Sequence, residues 1–329
     1  MKISLITPGG KGSRGGNRTT AVRWARILRR LGHRVSVATE YAGEPADLMI
    51  ALHAWRSARS IASFHKLRPR KPIIVALTGT DIYRFLHIHG ATTLRSLDMA
   101  DRLVGLHALV SDAIPARYRD KVEIIYQSAQ PLRRDHIGLK SEARSGSRWF
   151  EVLVVGHLRA EKDPLRTAKA ARLLPASSRV RVLHLGRAHD DIWARRARAE
   201  MARNPRYVWR GELAGWQVRQ NMARAALMVL SSRMEGGANV ISEAVMAGLP
   251  VIASKIPGSV GLLGEKYPGY YRVGDSAGLA RLLRRAEEDA RYLDALRRHC
   301  AERAALFHPA RERLSWRTLL AALSTRRPP

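Results

Sequence analysis

Short apolar runs alternate along this chain with longer stretches in which apolar positions recur every three or four residues, and the alternation repeats in both halves. That is the pattern of a parallel sheet covered by helices. In the first half, Lys2 to Thr7, Arg34 to Ala38, Asp47 to Leu52, Pro72 to Leu77, Arg102 to Leu106 and Val122 to Tyr126 are predicted strands. A glycine-rich turn follows the first of them. A helix from about Thr19 to Leu31 comes next, with Val22, Ala25 and Leu28 at helical spacing and Gly32 as its stop.

From Gln127 to Trp149 the chain becomes polar and turn-rich, which places a domain boundary there. The second series predicts strands at Phe150 to Gly156, Val180 to Gly186, Tyr207 to Gly211, Leu227 to Ser231, Pro250 to Ser254 and Tyr270 to Val273. Helices are expected from about Leu279 to Ala290, Leu293 to Phe307 and Leu314 to Leu323. The expected organisation is an N-terminal domain over residues 1–130, a linker over 131–149 and a C-terminal domain over 150–307. A last helix over 308–329 is positioned to pack back across the first domain. No tandem repeat interrupts the scheme.

Composition agrees with two packed domains. A chain of 329 residues exceeds the roughly 100 to 200 residues of one domain, and 46% hydrophobic with 26% charged residues is an ordinary globular mixture. The first apolar run is too brief for a signal peptide, and none approaches the roughly 20 residues of a membrane helix. The single cysteine, Cys300, excludes an intrachain disulfide and a cysteine-built metal site, so a cytoplasmic setting is expected. Lys and Arg number 58 against 28 acidic residues, a net charge of +30 that attracts anions: nucleic acid, a membrane surface or phosphorylated small molecules. Most of the cations are arginines strewn along helical segments such as Arg26 to Arg30 and Arg281 to Arg285, which reads as solvated faces. A nucleic-acid or anionic-surface binding protein is the alternative from another class, suggested by charge alone. No recognition helix, zinc knuckle or aromatic RNA-binding strand accompanies the charge, so neither nucleic acid nor membrane is an expected partner.

The most informative stretch runs from Ser231 to Ser254. It sets Glu235 in a glycine-bearing loop after a strand and Glu243 inside the following helix. Backbone N–H groups at such a helix start bind anions, and glycines let a ligand approach closely. One carboxylate can then hold sugar hydroxyls and the other a ribose. An isolated pair of glutamates would be a loop residue and a surface residue. The full string, Glu235-Gly236-Gly237-Ala238-Asn239-Val240-Ile241-Ser242-Glu243 followed by Ala247-Gly248-Leu249-Pro250-Val251, resembles the Glu-x7-Glu motif of retaining GT-B glycosyltransferases.

That resemblance implies an α/β chain with the GT-B fold: two Rossmann-like doubly wound domains facing a cleft. It casts Glu235 as the catalytic carboxylate on the sugar, Glu243 as the ribose ligand, and Gly236, Gly237 and Asn239 as donor-binding neighbours. Val155-Gly156-His157-Leu158-Arg159-Ala160-Glu161-Lys162 resembles the loop in which an arginine and a lysine hold the donor diphosphate. Lys162 falls on the lysine and His157 on the arginine, with Arg159 as a nearby planar donor. Backbone near Glu212 and Leu213 would pair with the base. The turn Pro8 to Arg18 resembles the family's first loop, with Gly16 beside the donor phosphates. It holds no P-loop.

Leu52-His53-Ala54-Trp55-Arg56, Leu77-Thr78-Gly79-Thr80-Asp81-Ile82-Tyr83, Leu185-Gly186-Arg187-Ala188-His189-Asp190 and the Glu235 string together resemble the selenosugar synthases of selenoneine biosynthesis. The resemblance implies transfer of N-acetylglucosamine from its UDP donor to selenophosphate, with release of UDP and phosphate. Lys11, Arg14, Arg18, His53, Arg56, Thr80 and Asp81 are the acceptor-binding candidates. Lys162 and Arg159 would stabilise the leaving diphosphate, and no Asp-x-Asp pair calls for a metal, so no cofactor beyond the UDP-sugar co-substrate is expected. A transferase acting on a sugar, lipid or small-thiol acceptor remains the alternative within the enzyme class.

Overall fold

The computed structural model describes residues 1–13, 15–132 and 148–325. Arg14 and most of the expected linker lie outside them. Two units emerge: the first gathers Met1–Ser128, Glu235–Asn239 and the helix Pro309–Thr325, and the second Ala129–Met234 with Val240–His308.

In the first unit, β1 (Lys2–Ile6), β2 (Arg34–Ala38), β3 (Leu48–Leu52), β4 (Ile73–Leu77), β5 (Arg102–Gly105) and β6 (Val122–Ile124) form one parallel sheet in the order β2-β1-β3-β4-β5-β6. The second unit repeats the design with β7 (Phe150–Val155), β8 (Val180–Leu185), β9 (Tyr207–Trp209), β10 (Leu227–Leu230), β11 (Val251–Ser254) and β12 (Tyr270–Tyr271). Its order is β12-β11-β10-β7-β8-β9, again parallel. Each of these strands falls inside a run read from the sequence. The strand order reverses between β1 and β3 in one sheet and between β7 and β10 in the other. Ligands of doubly wound sheets bind at those switch points, beyond the carboxyl ends of the strands.

Side chains alternate across the first sheet, so its two faces carry separate cores. Ile3, Leu5, Leu48, Ile50 and Leu52 pack with Trp24 and Leu28 of the helix Gly16–Arg30 and with Trp316, Leu319 and Leu320. Ile6, Met49, Ala51 and Val75 face the other way, onto Ile61, Phe64 and Leu97. Trp24 and Trp316 meet edge to face, with centroids 4.8 Å apart. Beside Trp24 sits a buried carboxylate: Glu312 accepts from Trp24 Nε1 (2.8 Å), Arg23 Nε (3.2 Å) and the Ser128 amide (3.0 Å).

The helix expected from Thr19 starts at Gly16, because its N-cap is Gly15 and offers no side-chain signal. The helices expected from Leu279 and Leu293 begin at Ser276 and Ala290, where Asp275 and Asp289 accept from Gly278 (2.7 Å) and Tyr292 (3.0 Å) amides.

Candidate active site

The second sheet's switch point is formed by the loops after β7 and β10. Ser231 Oγ donates to the carbonyls of Lys162 and Asp163 at 3.0 Å each, and the Arg233 amide to Glu161 O at 2.8 Å, so the two loops are stitched together. Asp163, directly after Lys162, holds φ at 43°, one of two non-glycine residues with positive φ among those described. It also pairs with Arg166 at 2.8 Å. Such a conformation persists only where the surroundings over-determine it.

His157 is half-buried, and its Nδ1 accepts from the Arg187 amide at 3.1 Å. In the neutral ring the proton is therefore on Nε2, free to be given to an anion. Burial lowers the His157 pKa, Glu212 opposes this, and Arg159, Arg187 and Lys162 lower it further. Three cations and one carboxylate thus act on a neutral imidazole donor at the end of β7, a net positive environment that suits a diphosphate. Arg187 and His157 stand 30 positions apart, so sequence spacing does not mark them as neighbours. The loop's base is held by buried His184, which contacts Gly156 O (3.0 Å) and Tyr207 Oη (2.9 Å). Leu213 is half-buried in the segment between β9 and the helix Gly215–Arg224, beside Gly211, whose carbonyl accepts from Gly186 N at 2.7 Å.

Glu235–Asn239 follows β10 in sequence yet packs within the first unit. Gly79, with φ at 111°, and Gly236 press backbone on backbone: a Cβ on Gly79 would lie 2.3 Å from Gly236 N. A Cβ on Gly237 would meet Leu106 Cβ at 2.5 Å. Glycine is required here because nothing larger lets the chains approach. Gln127, just beyond β6, locks the loop when its amide is turned so that each end meets a complementary group, donating to Gly237 O (2.8 Å) and accepting from Arg23 (3.1 Å). Arg23 Nη1 in turn donates to Asn239 Oδ1 at 2.9 Å, and Gly16 lies against the Asn239 amide. Glu235 is half-buried in this loop; Glu243 is half-buried one turn into the helix Asn239–Met246, which belongs to the second unit from Val240 onward. Arg23, Gln127 and Glu312 left no motif by which the sequence could have marked them.

At the first sheet's carboxyl edge, His53 is buried with φ at 76°. Its Nε2 contacts Thr80 Oγ1 at 2.9 Å, and its Nδ1 accepts from the Arg56 amide at 3.2 Å. Burial lowers its pKa, with Asp81 opposing. Asp81 is fully buried, and its oxygens accept from the amides of Ala54 (3.1 Å), Thr78 (3.0 Å), Gly79 (2.7 Å) and Ile82 (3.2 Å). Its carboxylate organises the loop. Arg56 is exposed near the Phe85 ring, Arg18 is half-buried and Lys11 exposed. Trp55 stacks on Phe85 (4.1 Å) and on His89 (4.8 Å). Beyond β5, buried His107 meets Tyr83 Oη at 3.1 Å, a pair the sequence did not single out.

Among the described residues no group of three or more His, Cys, Asp or Glu is placed to hold a metal ion, and no helix is long and apolar enough to cross a membrane. The family model for glycosyl transferases group 1 matches residues 140–307, just over half of the chain and the whole of the second sheet. The chain belongs to the glycosyl transferases group 1 family. It is therefore a glycosyltransferase. No curated protein sequence matches it. Among solved structures, HepE of Anabaena, determined with UDP and glucose, aligns with a TM-score of 0.77 at 18% identity over 98% of this chain and 100% of that one. Sucrose-phosphate synthase of Thermosynechococcus elongatus aligns with a TM-score of 0.79 at 15% identity over 99% and 100%. The pneumococcal O-GlcNAc transferase GtfA, solved with UDP and GlcNAc, gives 0.62 at 15% identity over 93% of this chain and 60% of its own. These likenesses bear on the fold, and with the family they establish the expected α/β GT-B architecture for this glycosyltransferase.

Proposed function

We propose that this glycosyltransferase moves N-acetylglucosamine from its UDP donor to selenophosphate. The selenium–carbon bond forms as the bond from the anomeric carbon to the UDP oxygen breaks. Hydrolysis of the phosphorus–selenium bond then releases phosphate and leaves a 1-selenosugar. The observation that carries the donor reading is the β7–β10 switch point, where the Arg187 amide fixes the His157 tautomer with Nε2 as donor and the charges of Lys162, Arg159 and Arg187 outnumber that of Glu212. Protein cations of this kind neutralise the leaving diphosphate, so activity is expected to persist in EDTA. UDP in HepE and in GtfA supports the nucleotide, and GlcNAc in GtfA the sugar. The acceptor reading rests on the resemblance of the His53 and Thr80 strings to selenosugar synthases, together with Arg18, Arg56 and Lys11 in the same unit.

Glu235 is assigned to the reacting sugar and Glu243 to the ribose. Gly16 is assigned to the donor phosphates, Gly236, Gly237 and Asn239 to donor binding, and the Leu213 backbone to the base. A soft selenium anion needs little deprotonation, so no strong general base is required. The test is mass spectrometry of products from UDP-N-acetylglucosamine and selenophosphate, run on the parent, Glu235→Ala and Glu243→Ala. A selenosugar is expected from the parent. Glu235→Ala should slow transfer with UDP affinity retained, and Glu243→Ala should weaken UDP binding measured by calorimetry. Two variants that bind UDP and transfer like the parent would remove the motif from the mechanism.

A further inference from the structure

Two histidines at the first sheet's carboxyl edge have their tautomers fixed by backbone donors. A peptide N–H can only donate, so the Arg56 amide at 3.2 Å leaves a lone pair on His53 Nδ1, and the ring proton of the neutral imidazole sits on Nε2. That proton is given to Thr80 Oγ1 at 2.9 Å. His107 repeats the arrangement: its Nδ1 accepts from the Leu109 amide at 3.2 Å, and Nε2–H is given to Tyr83 Oη at 3.1 Å. Burial lowers the pKa of both rings, that of His107 to about 4, and raises that of Tyr83, which stays protonated. Each hydroxyl thus receives a hydrogen bond from an imidazole and keeps its own proton to give.

We propose that Thr80 and Tyr83 are O–H donors to the oxyanion of the acceptor, and that His53 and His107 are the positioning residues that fix their direction. This rests on the acceptor reading above and adds residues and a selectivity rule to it. Both hydroxyls lie on the turn that follows β4, between the histidines that follow β3 and β5. Gly79, beside Thr80, packs on Gly236, so the turn is anchored against the loop that carries Glu235. The unfavourable φ of His53 is then accounted for, because it is held where its Nε2 reaches Thr80. Arginines supply charge to a phosphate, whereas directed hydroxyl donors favour strong oxygen acceptors over a thiol, whose sulfur accepts weakly. The site should therefore prefer selenophosphate to a neutral thiol or selenol of similar size.

Steady-state kinetics of Thr80→Val, Thr80→Ser, Tyr83→Phe and His107→Phe test this, with both Michaelis constants measured. Thr80→Val and Tyr83→Phe should each raise the constant for selenophosphate about tenfold, with that for the UDP-sugar unchanged, since each removes a hydrogen bond to a charged group. Thr80→Ser should restore it. His107→Phe should raise the same constant, and combining it with Tyr83→Phe should add nothing further, as expected for two members of one relay. An active parent whose constant for selenophosphate is unmoved in Thr80→Val and Tyr83→Phe would overturn this inference alone. So would equal losses toward both substrates. A parent inert toward selenophosphate would overturn the acceptor reading and this inference with it.

Discussion

Each unit buries a histidine against a tyrosine beyond or within its sheet, and the two pairs run in opposite directions. In the second unit, His184 Nε2 faces Gly156 O at 3.0 Å; a carbonyl only accepts, so Nε2 carries the proton and Nδ1 accepts from Tyr207 Oη at 2.9 Å. That chain begins on a hydroxyl and ends on a carbonyl, with every proton spent. In the first unit the chain begins on the Leu109 amide, passes through His107 and ends on the Tyr83 hydroxyl, whose proton remains. The same residue pair therefore closes a backbone in one place and presents a donor in the other. Direction, read from the groups that cannot change role, separates a structural relay from a functional one.

The largest effect on turnover tests whether the closed relay supports a catalytic loop. If His184 serves to hold Gly156 beneath the diphosphate loop, the loop's cation should matter most, and Lys162→Ala should cost about 2 to 4 kcal/mol of transition-state stabilisation in kcat/KM. Unchanged turnover would detach that loop from the chemistry. Acid unfolding comes next and probes what the two relays share. Burial pushes both His184 and His107 from 6.5 down to about 4, so below pH 6.5 the unfolded chain binds protons that the folded chain refuses. Stability should be full above that value and fall as pH drops toward 4, by on the order of 3 kcal/mol for each histidine. The urea midpoint followed from pH 7 to pH 4 measures this, and a flat profile would contradict neutral buried rings. The smallest effect separates the relays. Tyr207→Phe strands His184 Nδ1 and should cost about 1 to 3 kcal/mol of stability, with both Michaelis constants kept. A rise in the constant for acceptor on Tyr207→Phe would erase the contrast with Tyr83.

The strands were legible because the central ones, such as Leu48–Leu52 and Ile73–Leu77, are buried on both faces and read as continuous apolar runs; their order in the sheets, which differs from their order in the chain, required the fold. The Glu235 loop was legible because close packing demands glycine, against backbone at Gly236 and against the Leu106 side chain at Gly237, and a demand of that kind is written in residue identity. The relays were not. His107 and Tyr83 stand 24 positions apart, and Gln127 holds a loop more than a hundred residues further on; no period or spacing connects such partners. Asp81 was legible as a carboxylate at a strand end, but that its oxygens are consumed by four peptide amides required the fold. Likewise the string Glu235 to Asn239 reads as part of the second series, although it packs with the first unit.

The buried Glu312 carries a consequence for how the protein is made. Trp24 waits for a partner 288 positions downstream, and one face of the first sheet is sealed by Trp316, Leu319 and Leu320 near the end of the chain. During synthesis the second unit can complete its own core while the first remains an open apolar surface. Removing the segment from Pro309 onward would therefore keep every strand of both sheets and leave one face of the first without its cover.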